Sequence, residues 1–211
     1  MSTNDVVIYG AGGLGREIYD TILSINQVCR TYNVKGFIDD NANLPSLLNG
    51  LPLLGGANIL GSLRKNTGIV LAISDPTTRR HLHLSFCKDF TFLQIIHPTA
   101  IVSNFATLGD AVTIQANCIV AANATIGDGV LINAHSGVGH DAKVGNYCSI
   151  MSFCDLTGNS ELGDRCFTGT GVKILPNVKI AAESYLGAGS VVFKNVDKKS
   201  KLLGNPAKVI G

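Results

Sequence analysis

The chain has no tryptophan, two methionines and only 6% aromatic residues in 211 positions. Its core therefore cannot rest on large rings and must use small aliphatic side chains. Charged residues make up 15%, and the net charge of +2 includes no Lys/Arg run longer than a pair. That leaves no basic footprint for a nucleic-acid partner or an anionic lipid surface. No uninterrupted apolar stretch approaches the ~20 residues needed to span a bilayer, so no membrane insertion is expected. Asn4 and Asp5 precede a short apolar run that glycine breaks at once, so no secretory signal is read there. Six cysteines are present, but four share one repeating position described below. They read as compact core fillers in a reduced, cytoplasmic protein, not as a disulfide framework.

Glycine, in contrast, is abundant at 24 residues. The first cluster is 5-DVVIYGAGGLGREIYD-20, an apolar run leading into G-x-G-x-x-G and then a helix-like segment. Asp39 and Asp40 follow a second apolar run, Val34–Ile38. This is the outline of a dinucleotide-binding turn, in which backbone N–H groups at a helix start attract phosphate. Residues 68–73 read as a third strand. Ser74-Asp75-Pro76 reads as the start of another helix, with proline near its first position. Phe92–Ile96 reads as a fourth strand. A small α/β unit with a parallel sheet is expected up to residue 97.

From residue 100 the period changes to six. Sixteen blocks cover 100–195, from AIVSNF and ATLGDA to SYLGAG and SVVFKN. The third position is aliphatic in 15 of the 16, Thr168 being the exception, and the first is always Ala, Ser, Cys or Val. Such a repeat predicts a β-solenoid: one short strand and one turn per block, three blocks per triangular coil. Cys118, Cys148, Cys154 and Cys166 occupy the small first position. The two periods divide the chain into domains 1–97 and 98–211.

Chemistry is sought at His140-Asp141, within 137-GVGHDAKVG-145. His140 falls on a turn, flanking glycines leave room for a ligand, and the adjacent carboxylate suits an imidazole that must hold one tautomer. An imidazole held in this way can take a proton as a general base near neutral pH. No serine or cysteine has a convincing nucleophile setting, so no covalent enzyme intermediate is expected. A rival reading pairs His135 with His140 as zinc ligands, but no third histidine lies within 100–195, and no metal is expected.

The blocks resemble the left-handed β-helix of hexapeptide-repeat acyltransferases, whose [LIV]-G-x4 pattern appears at Leu108-Gly109, Ile126-Gly127 and Val144-Gly145. With GAGGLGRE, FIDD, AISDPTTRR, IHPTA and GNPAK, the whole chain resembles the PglD/NeuD-type sugar acetyltransferases. The resemblance implies a Rossmann-like α/β domain that binds a nucleotide sugar, joined to a left-handed parallel β-helix that is trimeric and uses acetyl-CoA. It assigns His140 as general base with Asp141 as its partner. It places Gly12, Gly13, Leu14, Asp39, Asp40, Ser74 and Asn133 on the nucleotide sugar. It runs acetyl-CoA along the prism edge past Ser149, Gly158, Thr170 and Ala188. Some relatives carry a second histidine nine residues after the base, where this chain has Ser149. The implied reaction is N-acetylation of a nucleotide-linked 4-amino-4,6-dideoxy sugar; sialic acid O-acetylation and a non-catalytic trimeric nucleotide-sugar-binding scaffold are the alternatives.

Overall fold

A computed structural model describes residues 4–64 and 66–210. The first part is an α/β unit. Strand β1 (Asn4–Tyr9) is followed by helix α1 (Gly13–Val28) and strand β2 (Tyr32–Ile38). A two-residue turn at Asn49-Gly50, both at positive φ, joins β3 (Leu47–Leu48) to β4 (Leu51–Gly55) as an antiparallel hairpin. A 3-10 turn (Ala57–Ser62), strand β5 (Gly68–Leu71) and helix α2 (Pro76–Phe86) complete the unit. The sheet order is β3-β4-β2-β1-β5, and β1 pairs in parallel with both β2 and β5. Val6, Val7 and Ile8 are wholly buried, as a central parallel strand covered on both faces requires. Helix α1 turns Ile18 and Ile22 onto the sheet, each contributing roughly 1.5–3 kcal/mol by burial. Asp75 caps α2 by accepting from the Thr78 amide at 2.7 Å, and Pro76 holds the first helical position.

Phe92–Ile96 is not one strand. Phe92 bridges to Ile69 of the α/β sheet, whereas Ile95–Ile96 pairs with Thr113–Ile114 and opens the solenoid. The chain leaves the α/β sheet between these positions, with Phe92 packed on one face of that sheet beside Ile69 and Ile95 on the other beside Ile8 and Ile18.

Seventeen two-residue strands then start every six residues, from Ile95 to Val191. Each pairs in parallel with the strand 18 residues away, as in Leu131↔Ser149 and Gly137↔Asp155. Three sheets result. We call face A the one through Ile101, Ile119 and Gly137, face B the one through Thr107, Thr125 and Lys143, and face C the one through Thr113, Leu131 and Ser149. Edge I (turns such as 122–123 and 140–141) joins A to B, edge II (128–129, 146–147) joins B to C, and edge III (116–117, 134–135) joins C to A. The third-position residues, Thr168 included, line the buried interior together with the four repeat cysteines.

Each turn from 111 to 189 puts its second residue at positive φ, glycine at 129, 171 and 189 and side-chain-bearing residues elsewhere. Left-handed backbone costs about 1–2 kcal/mol per non-glycine residue. Hydrogen bonds between coils offset it: on edge II, Asp128, Asn146 and Asp164 each accept from the amide 18 residues earlier, at 2.8–2.9 Å. The glycine of [LIV]-G is explained by crowding: a Cβ on Gly127 would stand 2.8 Å from the Asn146 amide nitrogen of the next coil.

The α/β unit lies on face C. Outward-facing Thr113, Leu131 and Ser149 are buried there, whereas Thr125, Lys143 and Lys179 at the same position on face B are exposed. Among the described residues, no helix is long and apolar enough to cross a membrane.

Candidate functional site

Three loops meet at the carboxyl ends of β1, β2 and β5, where strand order reverses about β1. In the first, Gly10 has φ 110° and lies against Ala72, and the Gly10 carbonyl fills the space a Cβ on Gly15 would need. These glycines let strand and helix approach closely. Gly12 and Gly13 differ: both are exposed, and a Cβ on either would meet nothing within 4 Å. They face open space at the N-terminus of α1, and Leu14 is half-buried beside them. Asp39 braces the turn, with Oδ2 accepting from the Ala11 amide at 2.8 Å and Oδ1 from the Asn41 amide at 2.9 Å. Asp40 accepts from the Tyr9 hydroxyl at 2.8 Å and from the Ala57 amide at 2.7 Å. Burial, and then this bond to Asp40, push the Tyr9 phenol well above its usual range. Ser74 is exposed just past β5.

On edge I, His140 Nδ1 lies 2.8 Å from Asp141 Oδ2, with both side chains largely in solvent. Asp141 also accepts from Asn123 Nδ2, one coil away, at 3.1 Å. The His140 bond first, and the Asn123 bond second, hold the Asp141 carboxyl below its ordinary range. The imidazole lies over Gly158, where a Cβ would stand 2.5 Å from Nε2. With Nδ1–H donated to Asp141, Nε2 keeps a lone pair on the side of Gly158: the arrangement of a general base with an orienting carboxylate.

The expected site residues are not all together. Residues 18 apart share an edge, so Gly158 stacks on His140, but Thr170 and Ala188 are exposed on edge III. The four expected acetyl-CoA positions thus do not follow one prism edge. Ser149 departs further: it is wholly buried. Its hydroxyl donates to the Ser74 carbonyl at 2.6 Å and accepts from Arg79 Nη2 at 2.9 Å, so it is committed to the seam between the domains. Asn133 also borders edge III, lining a cavity of about 290 Å³ with Thr21, Ser24 and Gln115 beside α1. The rival metal pair is separated too, since His135 stacks on Phe153 at 4.9 Å on edge III, one face away from His140. No group of three metal-ligating side chains occurs among the described residues.

Sequence reasoning missed Asn123, Tyr9 and Arg79. The 18-residue step back from Asp141 identifies Asn123. Nothing in the sequence marks Arg79 as buried, since it reads as one of two arginines on an amphipathic helix.

A coiled prism of hexapeptide turns, bearing an imidazole–carboxylate pair and capped by a nucleotide-type α/β unit, defines a hexapeptide-repeat transferase. Residues 5–86 match the PglD N-terminal domain, and residues 123–158 match the bacterial transferase hexapeptide (six repeats). A search of curated protein sequences gave no match. Among solved structures, PerB from Caulobacter crescentus, in complex with CoA and GDP-perosamine, is 30% identical, with coverage of 100% of this chain and 99% of that one and a TM-score of 0.91. The acetyltransferase domain of PglB from Neisseria gonorrhoeae is 26% identical, with 99% and 100% coverage and a TM-score of 0.91; it is also solved with acetyl coenzyme A. WeeI from Acinetobacter baumannii is 25% identical, with 97% and 99% coverage and a TM-score of 0.88. The chain belongs to the PglD/NeuD-type sugar acetyltransferases of the left-handed β-helix superfamily, enzymes that draw their acyl group from acetyl-CoA.

Proposed function

We propose that this protein transfers the acetyl group of acetyl-CoA to the amino group of a nucleotide-linked 4-amino-4,6-dideoxy sugar, with His140 as general base, in glycan biosynthesis. The observation that carries this is the His140–Asp141 pair on an exposed turn, with Nε2 over Gly158. Nε2 takes a proton from the sugar ammonium. The freed amine attacks the thioester carbonyl, and backbone N–H groups of the glycine-containing turns stabilise the oxyanion. The imidazolium passes this first proton to solvent, and Nε2 then takes the second proton from the nitrogen of the tetrahedral adduct. The adduct collapses to the amide, the C–S bond breaks, and the thiolate leaves as CoA after receiving that second proton from the imidazolium.

The nucleotide sugar is held by Gly12, Gly13, Leu14, Asp39, Asp40 and Ser74. All of these lie on the α/β unit, and that unit covers face C. In a triangular prism, edge I is the corner opposite face C, so a chain's own base points away from its own nucleotide domain. A homotrimer resolves this. If face A of each copy turns toward a threefold axis, edge I of one copy meets edge III of the next. The apolar end of face A suits burial: Ile101 is 65% and Ile119 51% exposed, with Phe105 and Phe153 exposed at its borders, and Asp155 and Lys173 follow in later coils, whereas face B presents Thr125, Lys143 and Lys179. His140 and Gly158 of one copy then share a cleft with Asn133, Thr170 and Ala188 of its neighbour.

The test is a thiol-release assay with acetyl-CoA and UDP-, dTDP- and GDP-linked 4-amino-4,6-dideoxyhexoses, with free sialic acid in parallel. Turnover of an amino sugar and a loss of about 10²–10⁴ in kcat for a folded His140→Ala support the proposal. Near-wild-type turnover in that variant removes His140 as base. Turnover of sialic acid alone changes the acceptor to a hydroxyl.

A further inference from the structure

Arg79 is the largest fully buried side chain, and it sits in the seam between the two domains. Among the described residues no carboxylate forms an ion pair with it, and Asp75 acts on it only at longer range. Its partners are carbonyl oxygens and one hydroxyl. Nη1 donates to Ile73 O at 2.5 Å and Ser74 O at 3.2 Å on its own domain. Across the seam, Nε donates to Gly129 O at 2.6 Å, and Nη2 to Tyr147 O at 2.9 Å, Cys148 O at 3.0 Å and Ser149 Oγ at 2.9 Å. Burial pushes the guanidinium down to about 10, which leaves it cationic at neutral pH. A desolvated cation of this kind is a poor source of net stability, because an apolar seam of equal volume serves at least as well. What the rigid planar fork supplies is geometry.

That geometry is specific. Gly129 and Tyr147 are 18 residues apart, on the same edge of consecutive coils. The chain between them makes one circuit of the prism, and His140 lies on that circuit. Arg79 therefore grips both ends of the coil that bears the base. On the other side it holds the carbonyl of Ser74, whose residue is exposed beside the glycine turn; a Cβ on Gly10 would stand 2.9 Å from Ile73 Cδ1. Ser149 closes the triangle by donating to the same Ser74 carbonyl at 2.6 Å. In a trimer with a threefold axis along the prisms, equivalent coils stand at equal heights. A domain indexed to its own His140 coil is then level with the neighbour's His140.

We propose that Arg79 and Ser149 are positioning residues that fix the height of the Ser74 loop against the prism, and so deliver the nucleotide-linked amino group to the base. This rests on the function proposed above. Neither residue touches the reacting atoms.

The experiment is steady-state kinetics on Arg79→Lys and Ser149→Ala, varying acetyl-CoA and the accepted nucleotide sugar separately. Arg79→Lys keeps the charge but loses the fork. The expected result is a fall of about 10²-fold in kcat/KM for the nucleotide sugar, with KM for acetyl-CoA within about twofold of wild type. Ser149→Ala shifts the same parameter in the same direction by about fivefold. Equal losses toward both substrates, or wild-type values, overturn the proposal; if Arg79→Lys does not fold, Ser149→Ala decides alone. Should wild type itself release no CoA with any acceptor, the proposed function fails, and amide hydrogen exchange decides the positioning. Faster exchange in Ser149→Ala confined to 72–76 and 10–14 supports it, and uniform acceleration overturns it.

Discussion

The imidazole of His140 rests on Gly158 of the next coil, so closely that a Cβ at 158 would stand 2.5 Å from Nε2 and 2.7 Å from Cε1. Gly158 does not need its conformational freedom, since its φ is not positive. Its value is the missing side chain. In Gly158→Ala the exposed ring must swing away from its floor and from Asp141. A displacement of about 1 Å costs up to ~10²-fold in rate. The expected outcome is a fall of at least tenfold in kcat, with a thermal midpoint within about 2 °C of wild type, because the ring moves into solvent at little cost. Wild-type turnover in this variant would show that the ring position on Gly158 is irrelevant.

Asp141 acts on the same imidazole from the Nδ1 side. Its folded carboxyl is held below the ordinary range by His140 and Asn123, so the carboxylate charge is constant through neutral pH and is lost only in acid. Asp141→Asn replaces the charged acceptor of the His140 Nδ1 proton by an amide that can donate as well as accept, so the tautomer is no longer fixed. The expected outcome is a fall of about tenfold or more in kcat at neutral pH, with KM for both substrates little changed. Wild-type kcat in this variant would leave Asp141 no part in orienting the imidazole.

The hexad pattern was legible because each coil repeats the same demand: a small residue, an outward residue, and an aliphatic one pointing in. The glycine turn was legible because close strand–helix approach excludes side chains at Gly10 and Gly15. Edge assignment was also encoded, since 140 and 158 differ by one coil whereas 158 and 170 differ by two-thirds of one. Linear order hid this by making Ser149, Gly158 and Thr170 look like one track. Arg79 was not legible, because its burial depends on how two domains with different periods meet, and no local pattern specifies that meeting.

His83 tests the same seam through pH. It is buried on α2, its Nδ1 lies 2.9 Å from the Tyr147 hydroxyl of edge II, and its ring packs edge-on to Phe92. Burial lowers its pKa, opposed by the more distant Asp128 and Asp110 carboxylates. The unfolded chain thus binds a proton at His83 more readily than the folded chain does. Stability is complete above the unfolded value of about 6.5, and it is lost as pH falls from there toward the lowered folded value. Thermal unfolding between pH 7.5 and 5 should show this fall in wild type and a shallower one in His83→Gln. Equal slopes would show that His83 does not titrate across folding.

The last prediction concerns the corner geometry. The base on edge I and the nucleotide domain on face C lie on opposite sides of one prism, so in the trimer proposed above each active site is built from two copies. Two variants that fail for different reasons should then complement each other. His140→Ala lacks the base, and Gly13→Asp sets a carboxylate in the open space where phosphate is proposed to bind. Each alone is expected to be nearly inactive. In trimers re-formed from an equal mixture, a site is intact when its histidine comes from a Gly13→Asp copy and its nucleotide domain from a His140→Ala copy. Random assortment makes that about one site in four, because every interface in a cyclic trimer joins unlike surfaces of neighbouring copies. Recovery toward a quarter of wild-type turnover after mixing is the expected result, read against unmixed parents carried through the same treatment. No recovery, with mixed trimers demonstrated by mass, would mean that each chain serves its own base, and the trimer arrangement proposed above would have to be abandoned.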